Sequence, residues 1–153
     1  MLHAADKDIV VFRSGPDQGY SIWQEFKRLP VISVAPIRRP KLDESGLDYS
    51  FDQEKELMKE KMRTVLRIAA AWEHPKLCLG AFGAGPGFRN PVQQLAGMWR
   101  EILFLESEFQ GYFTDIVFAI EKANGNGTPS ESTDFETFKQ EFDPSNVCKT
   151  AYR

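Results

Sequence analysis

LGAFGAGPGFRNP, residues 79–91, places four glycines among thirteen residues, between a short apolar run and a long amphipathic segment. Glycine loses more backbone freedom on ordering than any other residue, so a loop this bare needs a physical reason. The run before it, residues 76–81 (KLCLGA), predicts a strand. The segment after it, residues 92–109, predicts a helix with Val92, Leu95, Ala96, Trp99, Ile102 and Leu103 along one face. Pro91 suits the first turn of that helix, where a missing N–H costs nothing. Strand, bare loop, helix is the repeating step of an α/β domain.

On either side of this step, residues 8–13 (DIVVFR), 31–35 (VISVA) and 115–121 (DIVFAIE) also predict strands. Each is almost continuously apolar, the pattern of strands covered on both faces by helices. Residues 51–73 predict a helix, with Leu57, Met58, Met62, Val65, Leu66, Ala69 and Trp72 at three- and four-residue spacing. Lys55, Lys59, Lys61, Arg63 and Arg67 fall largely opposite, and His74-Pro75 stops the helix, because the residue before proline avoids the α region. Trp72 and Trp99 are expected in the core. Residues 20–26 suggest a short helical turn.

The order predicts an α/β fold, a three-layer α/β/α sandwich around a largely parallel sheet. Four strands are few for such a sheet. The chain also starts almost directly on a strand, so the expected domain, residues 1–122, is incomplete at its N-terminus. Residues 123–134 (ANGNGTPSESTD) read as a polar linker opening a C-terminal tail, 123–153. In that tail Phe135, Phe138 and Phe142 share one side of an amphipathic turn, free to dock or to stay loose.

The length of 153 residues is that of one domain, and 42% hydrophobic with 27% charged residues is ordinary for a soluble chain. A net charge of −3 lacks the basic field that general nucleic-acid binding requires, so no direct nucleic-acid partner is expected. The opening MLHAADKD holds no apolar signal core, and the longest apolar runs fall well short of the roughly 18 residues of a membrane helix. The expectation is a cytoplasmic or nuclear protein without membrane association. Cys78 and Cys148 make neither a disulfide framework nor a metal site, and Cys78 is expected as a small buried hydrophobe. No cofactor and no metal are expected. Oligomeric state leaves no mark on the sequence.

The glycine loop admits a limited set of readings. The first amides of a helix point outward unsatisfied and its dipole favours negative charge, so a bare loop leading into a helix suits a phosphate group. A Walker-type P-loop requires Lys and Ser/Thr after its last glycine, and none follows here. A dinucleotide fingerprint requires G-x-G-x-x-G, but Phe88 stands where the third glycine belongs, and the next predicted strand ends too late, at Glu121. A tight turn without a ligand is the bland alternative.

Residues 79–91 resemble the diphosphate loop of the macrodomain-type poly(ADP-ribose) glycohydrolases, in particular the microbial-type branch, whose pattern is similar to L-G-A-[WF]-G-C-G-x-F-x-N-P. Phe12-Arg13, the segment VISVAPIRRPKLDESG and DIVFAIE are similar to family segments in the family's order, so the resemblance spans about residues 8–122. It implies that Gly83, Ala84, Gly85 and Gly87 present backbone amides to the diphosphate of ADP-ribose. Phe88 matches the aromatic packed on the distal ribose side, and Asn90 and Pro91 match the pair that opens the helix. Ala81, Phe82 and, at the end of the last strand, Glu121 are weaker candidates for ligand contact. Two departures stand out: Ala84 replaces a Cys common in the family, and G-P-G-F carries one residue more before Phe88.

The resemblance also implies a catalytic loop of another segment, glycine-rich with tandem glutamates, one of them the general acid on the ribosyl bond. This chain holds no Glu-Glu and no Gly-Gly pair. Glu25, Glu54 and Glu56 are better read as solvated charge, His3 and His74 have no assignable base role, and no catalytic residue is assigned. Arg38-Arg39-Pro40-Lys41 could steer an anionic polymer, although a solvated loop is the plainer reading. The resulting expectation is an ADP-ribose- or poly(ADP-ribose)-binding module with absent or weak hydrolysis. The alternatives are an active glycohydrolase within a longer native chain, and a degenerate scaffold that binds no nucleotide.

Overall fold

The computed structural model describes residues 3–120 and 129–147, with side chains described over 9–120 and 134–147. The chain divides into two compact units, Met1–Ala35 and Pro36–Arg153.

The first unit is a hairpin of β1 (His3–Arg13) and β2 (Ile22–Val34), paired antiparallel from His3↔Val34 to Arg13↔Ile22. The connection folds around a 3₁₀ turn at Pro16–Gln18 and closes on Gly19 at φ 66°, which suits a residue without Cβ. Ser14 N donates to Ser21 O at 2.9 Å, and their hydroxyls meet at 3.0 Å across the base of that turn. The register slips between Asp6↔Val31 and Ile9↔Leu29, around Pro30, whose missing N–H cannot serve the ladder.

Two sequence expectations are corrected by this hairpin. Residues 20–26 form no helical turn: Ile22 to Phe26 belong to β2, and Phe26 packs edge-on to Phe12 at 6.2 Å. The run 31–35 ends this same long strand and is not a separate one. Neither strand is covered on both faces, since Ile9, Val10, Phe12, Ile22, Phe26, Leu29 and Val31 are all exposed.

In the second unit, α1 (Asp52–Ala71) and α3 (Val92–Phe104) form the core. Met58, Met62, Leu66 and Ala69 of α1 and Leu95, Ala96, Trp99 and Ile102 of α3 are completely buried. Each large side chain among them contributes about 1.5–3 kcal/mol by leaving water. The helix α1 stops where the sequence places its end: Glu73 turns left-handed at φ 58°, and the amide of His74 closes on Ala69 O at 2.9 Å ahead of Pro75. Trp72, expected in the core, is 42% exposed just past the last helical turn, and Leu57 is exposed as well.

Against these helices lies a two-stranded parallel sheet, β3 (Lys76–Leu79) with β4 (Asp115–Phe118), in register Lys76↔Asp115 to Leu79↔Phe118. Leu77, Leu79, Ile116 and Phe118 face inward, with the Phe118 ring edge-on to Trp99 at 6.2 Å. The opposite face, Lys76, Cys78, Asp115 and Val117, is exposed. Cys78 is therefore not the buried hydrophobe expected, because alternation within a four-residue strand puts it on the uncovered side.

The tail docks. The helix α4 (Pro129–Glu141) lies on α3, with Phe138 buried and Phe142, just beyond the helix, 4.6 Å from Phe118, while Glu141 accepts from Arg100 Nε at 2.6 Å. A last turn, α5 (Pro144–Val147), ends the described chain. Among the described residues, no helix is long and apolar enough to cross a membrane.

Candidate functional site

The glycine loop leaves the carboxyl end of β3, the edge where α/β sheets usually bind ligands. It is held in shape by its own backbone: Phe82 N donates to Gly80 O at 2.8 Å, Ala84 N to Ala81 O at 2.9 Å and Asn90 N to Gly83 O at 3.2 Å. Between them sits α2 (Gly85–Phe88), a single turn that ends on Arg89 at φ 60°.

The four glycines do different jobs. Gly83 is buried at φ 88°, and a Cβ there would lie 2.7 Å from Met58 Cε and 3.1 Å from Asn90 Nδ2, so it is glycine for packing. Gly85, at φ 80°, is glycine for its backbone, with open space above it. Gly80 and Gly87 have ordinary φ, and a methyl group added to either would meet nothing within 4 Å, so neither packing nor backbone calls for glycine there. Among the described residues, the amides of Gly83, Gly85 and Gly87 have no hydrogen-bond acceptor.

Asn90 is a pin rather than a projecting group. It is buried, its Nδ2 donates to Ile37 O and to Gly83 O at 2.8 Å each, and its Oδ1 accepts from the Tyr49 hydroxyl at 2.9 Å. Burial, with the carboxylates of Asp48 and Glu54 behind it, holds the Tyr49 phenol well above its ordinary value of 10.0, so it remains a donor. Phe82 turns inward, edge-on to Trp99 at 6.3 Å. Ala81 and Ala84 are half-buried; Gly85, Gly87 and Phe88 stand exposed. Glu121 lies outside the described residues. The Phe88 carbonyl accepts from the amide of Arg39 at 2.6 Å, joining the loop to the segment after Pro36.

Of the carboxylates considered in the sequence, Glu54 accepts from the amide of Lys41 at 3.0 Å and Glu56 pairs with Arg63 at 2.6 Å, while Glu25 is exposed on β2. No described cluster of three His, Cys, Asp or Glu residues suits a metal ion. A cavity of about 740 Å³ lies among Phe104, Phe109, Phe113, Phe118 and Phe142, along β4, and no residue of the glycine loop lines it. Tyr49 escapes notice in the sequence, and Arg39 stands out there only for its charge in the run 38–41, not for its bond to the loop. Their partners, Asn90 and Phe88, are dozens of residues away, and no local pattern announces such pairs.

No protein-family model matches the sequence, and no curated protein is similar to it at a significant level. Solved structures do match. A point mutant of the poly(ADP-ribose) glycohydrolase from Deinococcus radiodurans, in complex with ADP-ribose, is 25% identical with a TM-score of 0.67, over 91% of this chain and 51% of that one. Another structure of the Deinococcus enzyme with ADP-ribose gives 25% and 0.68, over 93% and 52%. The enzyme from Thermomonospora curvata is 22% identical with a TM-score of 0.67, over 90% and 46%, and shares the fold. The chain is thus similar in structure to poly(ADP-ribose) glycohydrolases, an α/β protein with small sheets that spans about half the length of the structures it matches.

Proposed function

We propose that this chain binds ADP-ribose, or the ADP-ribose units of its polymer, with the diphosphate seated on the amides between Ala81 and Asn90. One observation carries the reading: Gly80 and Gly87 are bare beneath open space, next to amides without acceptors, although the fold itself does not need glycine at either position. A ligand-free turn accounts for Gly83 and Gly85 but leaves these two unexplained. An anion that must approach the main chain closely accounts for them. The ADP-ribose present in the Deinococcus complexes supports this choice of anion, as does the inhibitor ADP-HPD in a Thermomonospora complex. Phe88, exposed beside the amides, suits the sugar side of the ligand.

Hydrolysis by this chain alone is absent or weak, because the sequence offers no paired glutamates and the described acids near the site are already engaged. A second reading is an active glycohydrolase completed by segments outside this chain, in which the sheet gains its third layer. The uncovered face at Cys78 and Val117 favours it, since parallel sheets occur almost only with both faces covered.

Isothermal titration with ADP-ribose tests binding. Saturable heat in the wild-type chain that is lost in Gly87→Asp, with the unfolding midpoint unchanged, is the expected result. No heat at millimolar ligand leaves the non-binding scaffold. Release of ADP-ribose from polymer by the purified chain, at enzyme-like rates, would overturn the absence of hydrolysis argued from the missing paired glutamates.

A further inference from the structure

The five phenylalanines around the cavity come from four stretches of chain: the end of α3, the connection 105–114, β4 and the turn after α4. The rings of Phe118 and Phe142 lie 4.6 Å apart and tilted by 39°, and Phe104 stands 6.4 Å from Phe142, tilted by 52°. Phe109 lines the same space although it is only 4% exposed, so this is a recess beneath the surface rather than a flat apolar face. Its volume of about 740 Å³ is that of a small-molecule pocket.

The lining decides what could enter. Among the described residues, no charged side chain borders the cavity, and its polar side chains are Gln110 and Thr114, both exposed. Gln110 Nε2 donates to Phe104 O at 3.2 Å, which ties the side chain to the end of α3 and leaves Oε1 as an acceptor. The Thr114 hydroxyl donates to Asp115 at 3.0 Å, and Lys76 neutralises that carboxylate at 3.1 Å. A charged ligand would lose its hydration here and find no counter-charge. A neutral ring would find tilted rings on several sides, the arrangement aromatic groups prefer.

The geometry points to a second ligand site, for a neutral molecule of about two or three aromatic rings with one hydrogen-bond donor, between β4, the end of α3 and the tail. Phe104, Phe109, Phe113, Phe118 and Phe142 contact the rings, and Gln110 Oε1 accepts from the donor. The tail closes part of the wall through Phe142, Pro144 and Val147, so an occupied site holds the tail down. The site stands independently of ADP-ribose binding, since no residue of the glycine loop lines it.

The test uses phenylnaphthylamine, a neutral three-ring dye with one N–H donor that brightens in apolar surroundings. Anilinonaphthalene sulfonate, the same skeleton with a negative charge, is the comparison. The proposal expects one neutral dye per chain, with amide NMR shifts at Phe109, Phe113 and Phe118 and none at Gly83 or Gly85. The sulfonated dye should bind at least about tenfold more weakly. Val147→Trp, which fills the recess from the tail, should weaken the neutral dye at least about tenfold, and Leu103→Trp, from α3, serves as an independent filling variant. Unfolding midpoints confirm that each is folded. Gln110→Ala should cost about threefold to tenfold in affinity. Equal affinity for the two dyes, or undiminished dye binding in the folded filling variants, overturns the proposal. Shifts confined to the exposed hairpin residues Phe12 and Phe26, or dye displaced as chain concentration rises, assign the dye or the recess elsewhere and overturn it too. None of these results bears on the seat of the diphosphate, so the two readings fail separately.

Discussion

The hydroxyl of Tyr49 donates to Asn90 Oδ1 at 2.9 Å, across 41 residues of sequence, while the Asn90 amide holds the carbonyls of Ile37 and Gly83. One buried side chain thus ties the glycine loop to the segment after Pro36 and to the entrance of α1. Tyr49→Phe leaves a buried acceptor unpaired and is expected to cost about 1–2 kcal/mol in denaturant unfolding. Asn90→Ala removes all three bonds and costs more, about 2–4 kcal/mol. A loop that folds without this pin would show neither loss.

Two glycines of the loop should respond oppositely to the same substitution. Gly83→Ala drives a methyl into Met58 and imposes a left-handed alanine, so it destabilises the fold by about 2–4 kcal/mol. Gly87→Ala meets open space at ordinary φ, so stability stays within about 0.5 kcal/mol of wild type while ADP-ribose affinity falls. Thermal unfolding and calorimetry of the two variants read both effects.

The two faces of the β3–β4 sheet should differ as sharply. Leu79→Ala, on the covered face, is expected to cost about 2–5 kcal/mol. Val117→Thr, at a position 59% exposed, should change stability by less than about 0.5 kcal/mol. The Cys78 thiol should react with a thiol reagent in the native chain, without prior unfolding.

Acid should weaken the ion-pair ladder between α1 and the segment after α3. Hydrogen bonds from Arg63 hold the Glu56 carboxyl below its ordinary 4.5, and those from Arg67 do the same for Glu108. A carboxylate depressed in the folded state adds stability that is present above its unfolded value and lost as pH falls through its folded one. The unfolding midpoint is therefore expected to drop between about pH 5 and pH 3, and Arg63→Gln/Arg67→Gln to flatten that slope. Because these groups are largely solvated, high salt should also reduce the effect.

What the sequence made legible follows from which forces are local. The apolar stripes of α1 and α3, the stop at His74-Pro75 and the step from β3 through the loop are written in spacing and in glycine and proline chemistry, and the structure has them. The stretch from Tyr20 to Phe26 misled because seven residues are too few to fix a period, whereas the partner strand in the hairpin decides its conformation. The run at Cys78 misled for a related reason. An apolar strand looks the same whether its second face is covered or open, and only tertiary packing chooses. At the loop, glycine content pointed to the place, but dividing Gly83 and Gly85 from Gly80 and Gly87 required knowing what surrounds each Cα.

Whether the loop seats a diphosphate is decided by an amide NMR titration of the intact chain with ADP-ribose. A diphosphate held by the main chain gives large, saturable shifts at Gly83, Gly85 and Gly87, with the aromatic-lined cavity at Phe109 and Phe113 unmoved. Shifts confined to that cavity, or no shift at the three glycines under millimolar ligand, would refute it.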